Sequence, residues 1–124
     1  MNIAIIGAGL IGKKRAASLP KGVKLVAICD VDKARCDQFA AEFNCRAEYD
    51  WKKTIQNPEI QAFFICTPHK FLSDIAAAVI LAGKHVFIEK PGARSAKDFK
   101  KVMAAYKKKK RVVMVGFNHR YHGA

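Results

Sequence analysis

Two hydrophobic periods alternate along the chain. Asn2 to Ile6 is a short β-branched run, the mark of a buried strand. Leu10 to Leu19 carries helix-forming residues and stops at Pro20, and Val23 to Cys29 is a second apolar strand. Asp32 fits an N-cap, because its carboxylate can accept from the free amides of a following helix. Cys36, Phe39, Ala40 and Phe43 then lie on one helical face. Cys45 to Glu48 reads as a short strand, and Asp50 caps a small helix running to Ile55 and stopped before Pro58. Ala62 to Cys66 is strongly apolar. Ser73 to Ala82 is an alanine-rich helix, apolar nearly all round and ended by Gly83. His85 to Glu89 is a fifth strand. Ser95 and Asp98 form a capping box ahead of Phe99, Val102, Met103 and Tyr106, which repeat the helical spacing. Arg111 to Val115 is a sixth strand.

Strands alternating with helices of this length require right-handed crossovers. The expected fold is α/β, a Rossmann-type doubly wound and mostly parallel six-stranded sheet with helices on both faces. The 124 residues suit one domain, 1–124, without internal linker or repeat.

Composition narrows the function classes. With 51% hydrophobic and 27% charged residues, a disordered or fibrous chain is excluded. No apolar run reaches the ~20 residues that cross a bilayer. The apolar start, Ile3 to Ile11, is interrupted by Gly7 and Gly9 and lacks a basic flank, so it reads as structure rather than a signal peptide. Cys29, Cys36, Cys45 and Cys66 show no metal-ligand spacing, so no metal is expected. They read as reduced, mostly buried thiols in a cytoplasmic protein.

The chemistry begins at Gly7-Ala8-Gly9-Leu10-Ile11-Gly12, a G-x-G-x-x-G placed directly after the first strand and opening the first helix. Gly7 permits the tight turn, Gly9 lets the backbone approach a pyrophosphate, and Gly12 lets helix and strand pack closely. The free amides and dipole of the helix start favour the anionic phosphates, with Leu10 and Ile11 contributing two of the backbone positions. Asp30, 18 residues beyond Gly12, stands where a carboxylate accepts from the adenosine ribose hydroxyls. Such a carboxylate repels a 2′-phosphate, which favours NAD over NADP. Lys33 and Arg35 pull the other way, since either could reach a phosphate.

Cys66-Thr67-Pro68, Ala82-Gly83-Lys84-His85-Val86, Glu89-Lys90-Pro91 and Gly116-Phe117-Asn118-His119-Arg120-Tyr121, together with the glycine loop, resemble the glucose–fructose oxidoreductase/inositol dehydrogenase (Gfo/Idh/MocA) family over essentially the whole chain. The resemblance implies an N-terminal dinucleotide-binding domain, followed in relatives by a substrate domain. It implies hydride transfer between nicotinamide and a hydroxyl-bearing carbon, typically of a sugar or cyclitol. Lys90 matches the lysine beside the nicotinamide that serves the reacting hydroxyl, and Pro91 matches a proline often preceded by a cis peptide. Thr67 and Pro68 match a loop along the cofactor. Glu89 is either structural or a cofactor contact, and Asn118 to Arg120 fall at the cofactor edge. Leu72 stands where relatives often carry a histidine.

The family's substrate domain, with its own proton acceptor, is not expected within these residues. The expectation is therefore cofactor binding without appreciable turnover by this chain alone, with self-association through the exposed surface near Pro91 and Phe117. A non-catalytic NAD-sensing module is the alternative. The +13 charge, concentrated in Lys97, Lys100, Lys101, Lys107 to Lys110 and Arg111, raises nucleic-acid binding as a rival. That rival is disfavoured, because no aromatic residues interleave the run from Lys107 to Arg111 and a lysine-rich helix end suits its own dipole.

Overall fold

The computed structural model describes residues 1–116. Among these residues eleven elements alternate strictly between strand and helix: β1 (Asn2–Ile6), α1 (Leu10–Ala17), β2 (Lys24–Cys29), α2 (Lys33–Phe43), β3 (Arg46–Glu48), α3 (Trp51–Thr54), β4 (Ala62–Ile65), α4 (His69–Leu81), β5 (His85–Glu89), α5 (Ala96–Lys108) and β6 (Val113–Gly116). The strands form one sheet in the order β3-β2-β1-β4-β5-β6, and every pairing is parallel. The chain steps outward from β1 to β3, then crosses back to β4 beside β1. That reversal opens a crevice at the carboxyl ends of β1 and β4, where ligands of such sheets bind.

Both faces of the sheet are covered, and strand alternation assigns the side chains. Ala4 and Ile6 of β1, with Ala27 and Cys29 of β2, join Leu72, Val79, Ile88 and Val102 in the larger core under α4 and α5. Ile5 and Ile28 point the other way, onto Ala8, Cys36, Phe39 and Ala40. The apolar stripe expected on α2 is thus the second core, and the nearly all-apolar α4 packs against both sheet and α5. The expected caps are in place. Asp32 accepts from the Arg35 amide, Asp50 from the Lys52 and Lys53 amides, and Ser95 from the Asp98 amide. Asp98 does not complete the box through its own side chain; its carboxylate pairs with Arg94 and Lys101 instead.

The elements differ from the sequence reading mainly at their ends. α4 begins at His69, four residues before the expected Ser73, because Pro68 presets its own φ and its carbonyl accepts from the Phe71 amide. His69 is therefore the first residue of a helix rather than part of a loop. α1 stops at Ala17, where Ser18 turns its hydroxyl back onto the Lys14 carbonyl. β6 starts at Val113, since the Val112 amide is taken by His85 Nδ1 and the Arg111 side chain by the Gly83 carbonyl. The lysines of α5 and its exit face outward, with Lys101 on Asp74 and Lys110 over Tyr106. All four cysteines are free, Cys29 and Cys36 buried and Cys45 and Cys66 half-buried. Among the described residues no helix is long and apolar enough to cross a membrane.

Phe63 on β4 is fully enclosed in the larger core. Its replacement by alanine is expected to cost about 3–5 kcal/mol in chemical denaturation, the range for an aromatic cavity.

Candidate functional site

The first turn of the fold is built from contacts between backbones. Gly7 leaves β1 at φ +110°, and its amide donates to the Cys29 carbonyl at 2.8 Å. A Cβ on Gly7 would stand 2.4 Å from the Cys66 carbonyl oxygen. A Cβ on Gly12, in the first turn of α1, would stand 2.2 Å from the Gly7 carbonyl oxygen. Both positions therefore hold strand, loop and helix together. Gly9 differs: a Cβ there would meet nothing within 4 Å among the described residues, and its extended backbone suits any residue. Its missing side chain leaves open space rather than serving the fold.

That space belongs to a cleft of about 530 Å³ along the carboxyl ends of β1, β2 and β4. Gly7, Gly9, Leu10, Ile11, Asp30, Thr67 and Pro68, all singled out from the sequence, line it. Around them stand Val31, Tyr49, Trp51, Phe71 and Ile75, which add apolar and aromatic surface, together with Arg35 and His69. Among the described residues no side chain caps the N-terminus of α1, and its first turn holds no acidic residue. The amides there face the cleft with the positive end of the helix dipole behind them. The Thr67 hydroxyl is buried yet finds no hydrogen-bond partner among the described residues. An orphaned donor of that kind is costly unless something in the cleft meets it.

Asp30 closes the cleft at the end of β2. Its Oδ2 accepts from the Ala8 amide at 2.8 Å and its Oδ1 from the Asp32 amide at 2.9 Å. The Arg35 guanidinium donates to both oxygens, at 2.9 and 3.1 Å. Burial pushes this carboxyl up, but the two amides and Arg35 outweigh it and hold Asp30 below the ordinary carboxylate value. Asp30 is thus a buried, ionised group that braces the glycine loop through Ala8. The Arg35 side chain is half exposed at the rim.

Gly12 lies buried behind the loop, and Glu89 and Lys90 lie outside the cleft lining at the end of β5. The Lys90–Pro91 peptide is cis and Lys90 is exposed. Glu89 is buried and bonded to Arg15 of α1, whose guanidinium also lies 5.1 Å from the centre of the Phe87 ring. Sequence reasoning missed Arg15 because its partner is 74 residues away. The one available signal was its spacing, three residues past Gly12 on the helix that opens at the loop. The thiol of Cys66, beside this pair, is pushed up to about 12, first by burial and then by the Glu89 charge. It is consequently a poor nucleophile. Phe117, Asn118, His119, Arg120 and Tyr121 lie outside the described residues. Among the described residues no group of histidine, cysteine and carboxylate side chains could hold a metal ion.

Residues 1–117 match the profile of the oxidoreductase family with an NAD-binding Rossmann fold. Inositol 2-dehydrogenase of Salmonella typhimurium is 33% identical over 98% of this chain, which spans 38% of that enzyme. A levoglucosan dehydrogenase solved in complex with NADH superposes with a TM-score of 0.85 at 30% identity, over 97% of this chain and 35% of that one. Biliverdin reductase from Synechocystis, solved with biliverdin and NADP+, gives 0.86 at 29% identity, over 92% and 37%.

Three outcomes follow from this geometry. Gly12→Ala is expected to destabilise the fold by roughly 3 kcal/mol through backbone overpacking, measured by denaturant titration. Gly9→Ala is expected to cost no more than about 1 kcal/mol, the scale of an N-cap change. The Asp30 carboxyl is depressed on folding, so its contribution is complete above the ordinary value of 3.8 and is lost as pH falls through the folded value. Melting temperature followed from about pH 5 to about pH 2 should therefore fall less steeply in Asp30→Asn than in the parent.

Proposed function

The chain belongs to the oxidoreductase family with an NAD-binding Rossmann fold, and from that premise we propose how its residues serve the cofactor and the reaction. The observation that carries the reading is the open space over Gly9. Of the three loop glycines it alone has no neighbour to accommodate, and it lies at the mouth of an uncapped helix. A diphosphate placed there takes the amides around Gly9, Leu10 and Ile11 and the favourable end of the α1 dipole. The Thr67 hydroxyl supplies a further donor, and Pro68 shapes the wall along the dinucleotide. The apolar part of the lining, which includes Val31 and Phe71, suits the adenine.

Asp30 accepts from the ribose hydroxyls through its Oδ1 and Oδ2 on the Arg35 side. The half-exposed guanidinium is the group those hydroxyls displace or share with. The carboxylate disfavours a 2′-phosphate, so NAD is preferred to NADP. Arg35 narrows that preference by offsetting the charge.

A nicotinamide held there would supply the hydride chemistry, and the protein supplies orientation and a proton-holding group beside the reacting carbon. Lys90, exposed at the carboxyl end of β5, donates to the substrate hydroxyl and steadies negative charge developing on its oxygen. The substrate class is a sugar or cyclitol, in keeping with the inositol and levoglucosan dehydrogenases among the relatives. The chain spans 38% of the inositol 2-dehydrogenase, so choice among such substrates is not assigned to the described residues. These relatives favour the oxidoreductase reading over a sensing module. A cytoplasmic setting is supported by four free thiols. The reading includes self-association through the exposed surface around Pro91.

Isothermal titration calorimetry is expected to show NAD binding at least about tenfold tighter than NADP, a difference of ~1.4 kcal/mol. Gly9→Val should weaken NAD by a similar factor while the protein stays folded, because a side chain there occupies the place of the diphosphate. Tighter NADP than NAD binding would overturn the assignment of Asp30. Unchanged affinity in Gly9→Val would overturn the placement of the diphosphate.

A further inference from the structure

The Arg15–Glu89 pair spans two parts of the molecule that the proposed chemistry uses separately. Arg15 lies on α1, five residues beyond Leu10, the first residue of the helix that opens at the glycine loop. Glu89 ends β5 and immediately precedes Lys90. The two side chains are 20% and 10% exposed, so the bond between them is little screened by water. Glu89 is held a second time, because its carbonyl accepts from the Gly92 amide at 2.9 Å across the Lys90–Pro91 turn.

Arg15 is fixed from other sides as well. Its guanidinium lies over the Phe87 ring. A Cβ on Gly116 would come within 3.4 Å of its Nη2 and 2.6 Å of Phe87 Cζ. Gly116 is the register partner of Glu89 across β5 and β6. The glycine thus makes the room that lets the guanidinium bridge from α1 to the strand end. Gly7 meanwhile abuts the backbone of Cys66 at the end of β4, next to the same pair. α1 and the Lys90 turn are therefore joined by one packed, charged connection, and Glu89 itself has no part in the cleft lining.

We infer that Arg15 and Glu89 are positioning residues: through their ion pair, filling the glycine-loop cleft with dinucleotide changes the placement of the Lys90 ammonium. The inference rests on the function proposed above. Displacement of the helix start by a diphosphate is passed along α1 as a rigid body to Arg15, and Arg15 holds the carboxylate next to Lys90. Neither side chain lines the cleft, so removal of the pair is expected to leave binding and alter the lysine. A bracing role alone would change stability and leave the lysine's response to ligand intact.

The test uses reductively methylated protein bearing carbon-13 dimethyl-lysines, with the Lys90 resonance identified by its loss in Lys90→Arg. NAD binding is followed independently through Trp51, the one tryptophan of the chain, which lines the cleft. In the parent, saturation with NAD is expected to move the Lys90 resonance. In Arg15→Gln, the NAD dissociation constant should change by no more than about twofold, the scatter of independent sites. The movement at Lys90 should fall by at least about half, as expected when the connecting interaction carries the coupling, and Arg15→Lys should restore part of it. A buried charge left alone can unfold a protein, whereas replacing both partners by apolar residues is tolerated. Arg15→Met with Glu89→Leu is therefore the second variant, with the same expected loss. A Lys90 response equal to that of the parent in either folded variant overturns the coupling and leaves the proposed function standing. A parent whose Trp51 signal and Lys90 resonance do not respond to NAD overturns the proposed function, and the inference with it.

Discussion

Everything at the carboxyl edge of this sheet depends on three backbones meeting with no side chain between them. The Gly7 α-carbon rests on the Cys66 carbonyl, and the Gly12 α-carbon rests on the Gly7 carbonyl. Strand β1, strand β4 and helix α1 can approach so closely only because two β-carbons are missing. Interiors pack at crystal-like density, so a methyl group at either place cannot be absorbed by local adjustment. The closeness has a chemical result. It brings the start of α1, where amides lack intrahelical partners, to the point where the strand order reverses. Binding capacity thus comes from the topology, and the third glycine keeps it accessible.

Charge at this edge is arranged around two buried carboxylates, Asp30 and Glu89, each 8% exposed and each held by its own arginine. The two pairs have different settings. Arg35 is half exposed, so its hold on Asp30 can be exchanged for other donors. Arg15 is enclosed by Glu89, Phe87 and Gly116, so its hold on Glu89 is part of the framework. A strongly cationic chain therefore buries two of its ten acidic groups at this edge, each with an arginine partner. Most of the excess cations stand on the outer faces of helices, where hydration is undisturbed.

The framework could be read from local pattern because much of it is local in origin. Strand runs such as Ala62 to Ile65, the Asp32 and Asp50 caps, and the spacing of Cys36, Phe39 and Ala40 each express a preference of neighbouring residues. The start of α4 was misplaced because the unusual cap Pro68 lacks a side-chain acceptor, and its effect comes from a fixed dihedral. The glycine loop and Asp30 were found because their spacing is set by one strand–helix–strand unit. What escaped was contact between distant segments. Arg15 meets Glu89 and Trp51 reaches the cleft only after the crossovers are made, and no periodicity encodes either encounter.

The position of β1 bears on how the chain is made. Of the described strands β1 is made earliest, yet it is central, lying between β2 and β4 and pairing with residues as late as Ile65. On a ribosome adding ~5–20 residues per second, Ile3 to Ile6 would wait some seconds before their second neighbour exists. During that interval one edge of a strongly apolar strand is open to other nascent chains. The later strands, β5 and β6, only extend a sheet already closed around its centre. Birth order and spatial order therefore oppose each other in the first half of the molecule and agree in the second. The hazard of misassociation is thereby confined to the stretch before β4 emerges.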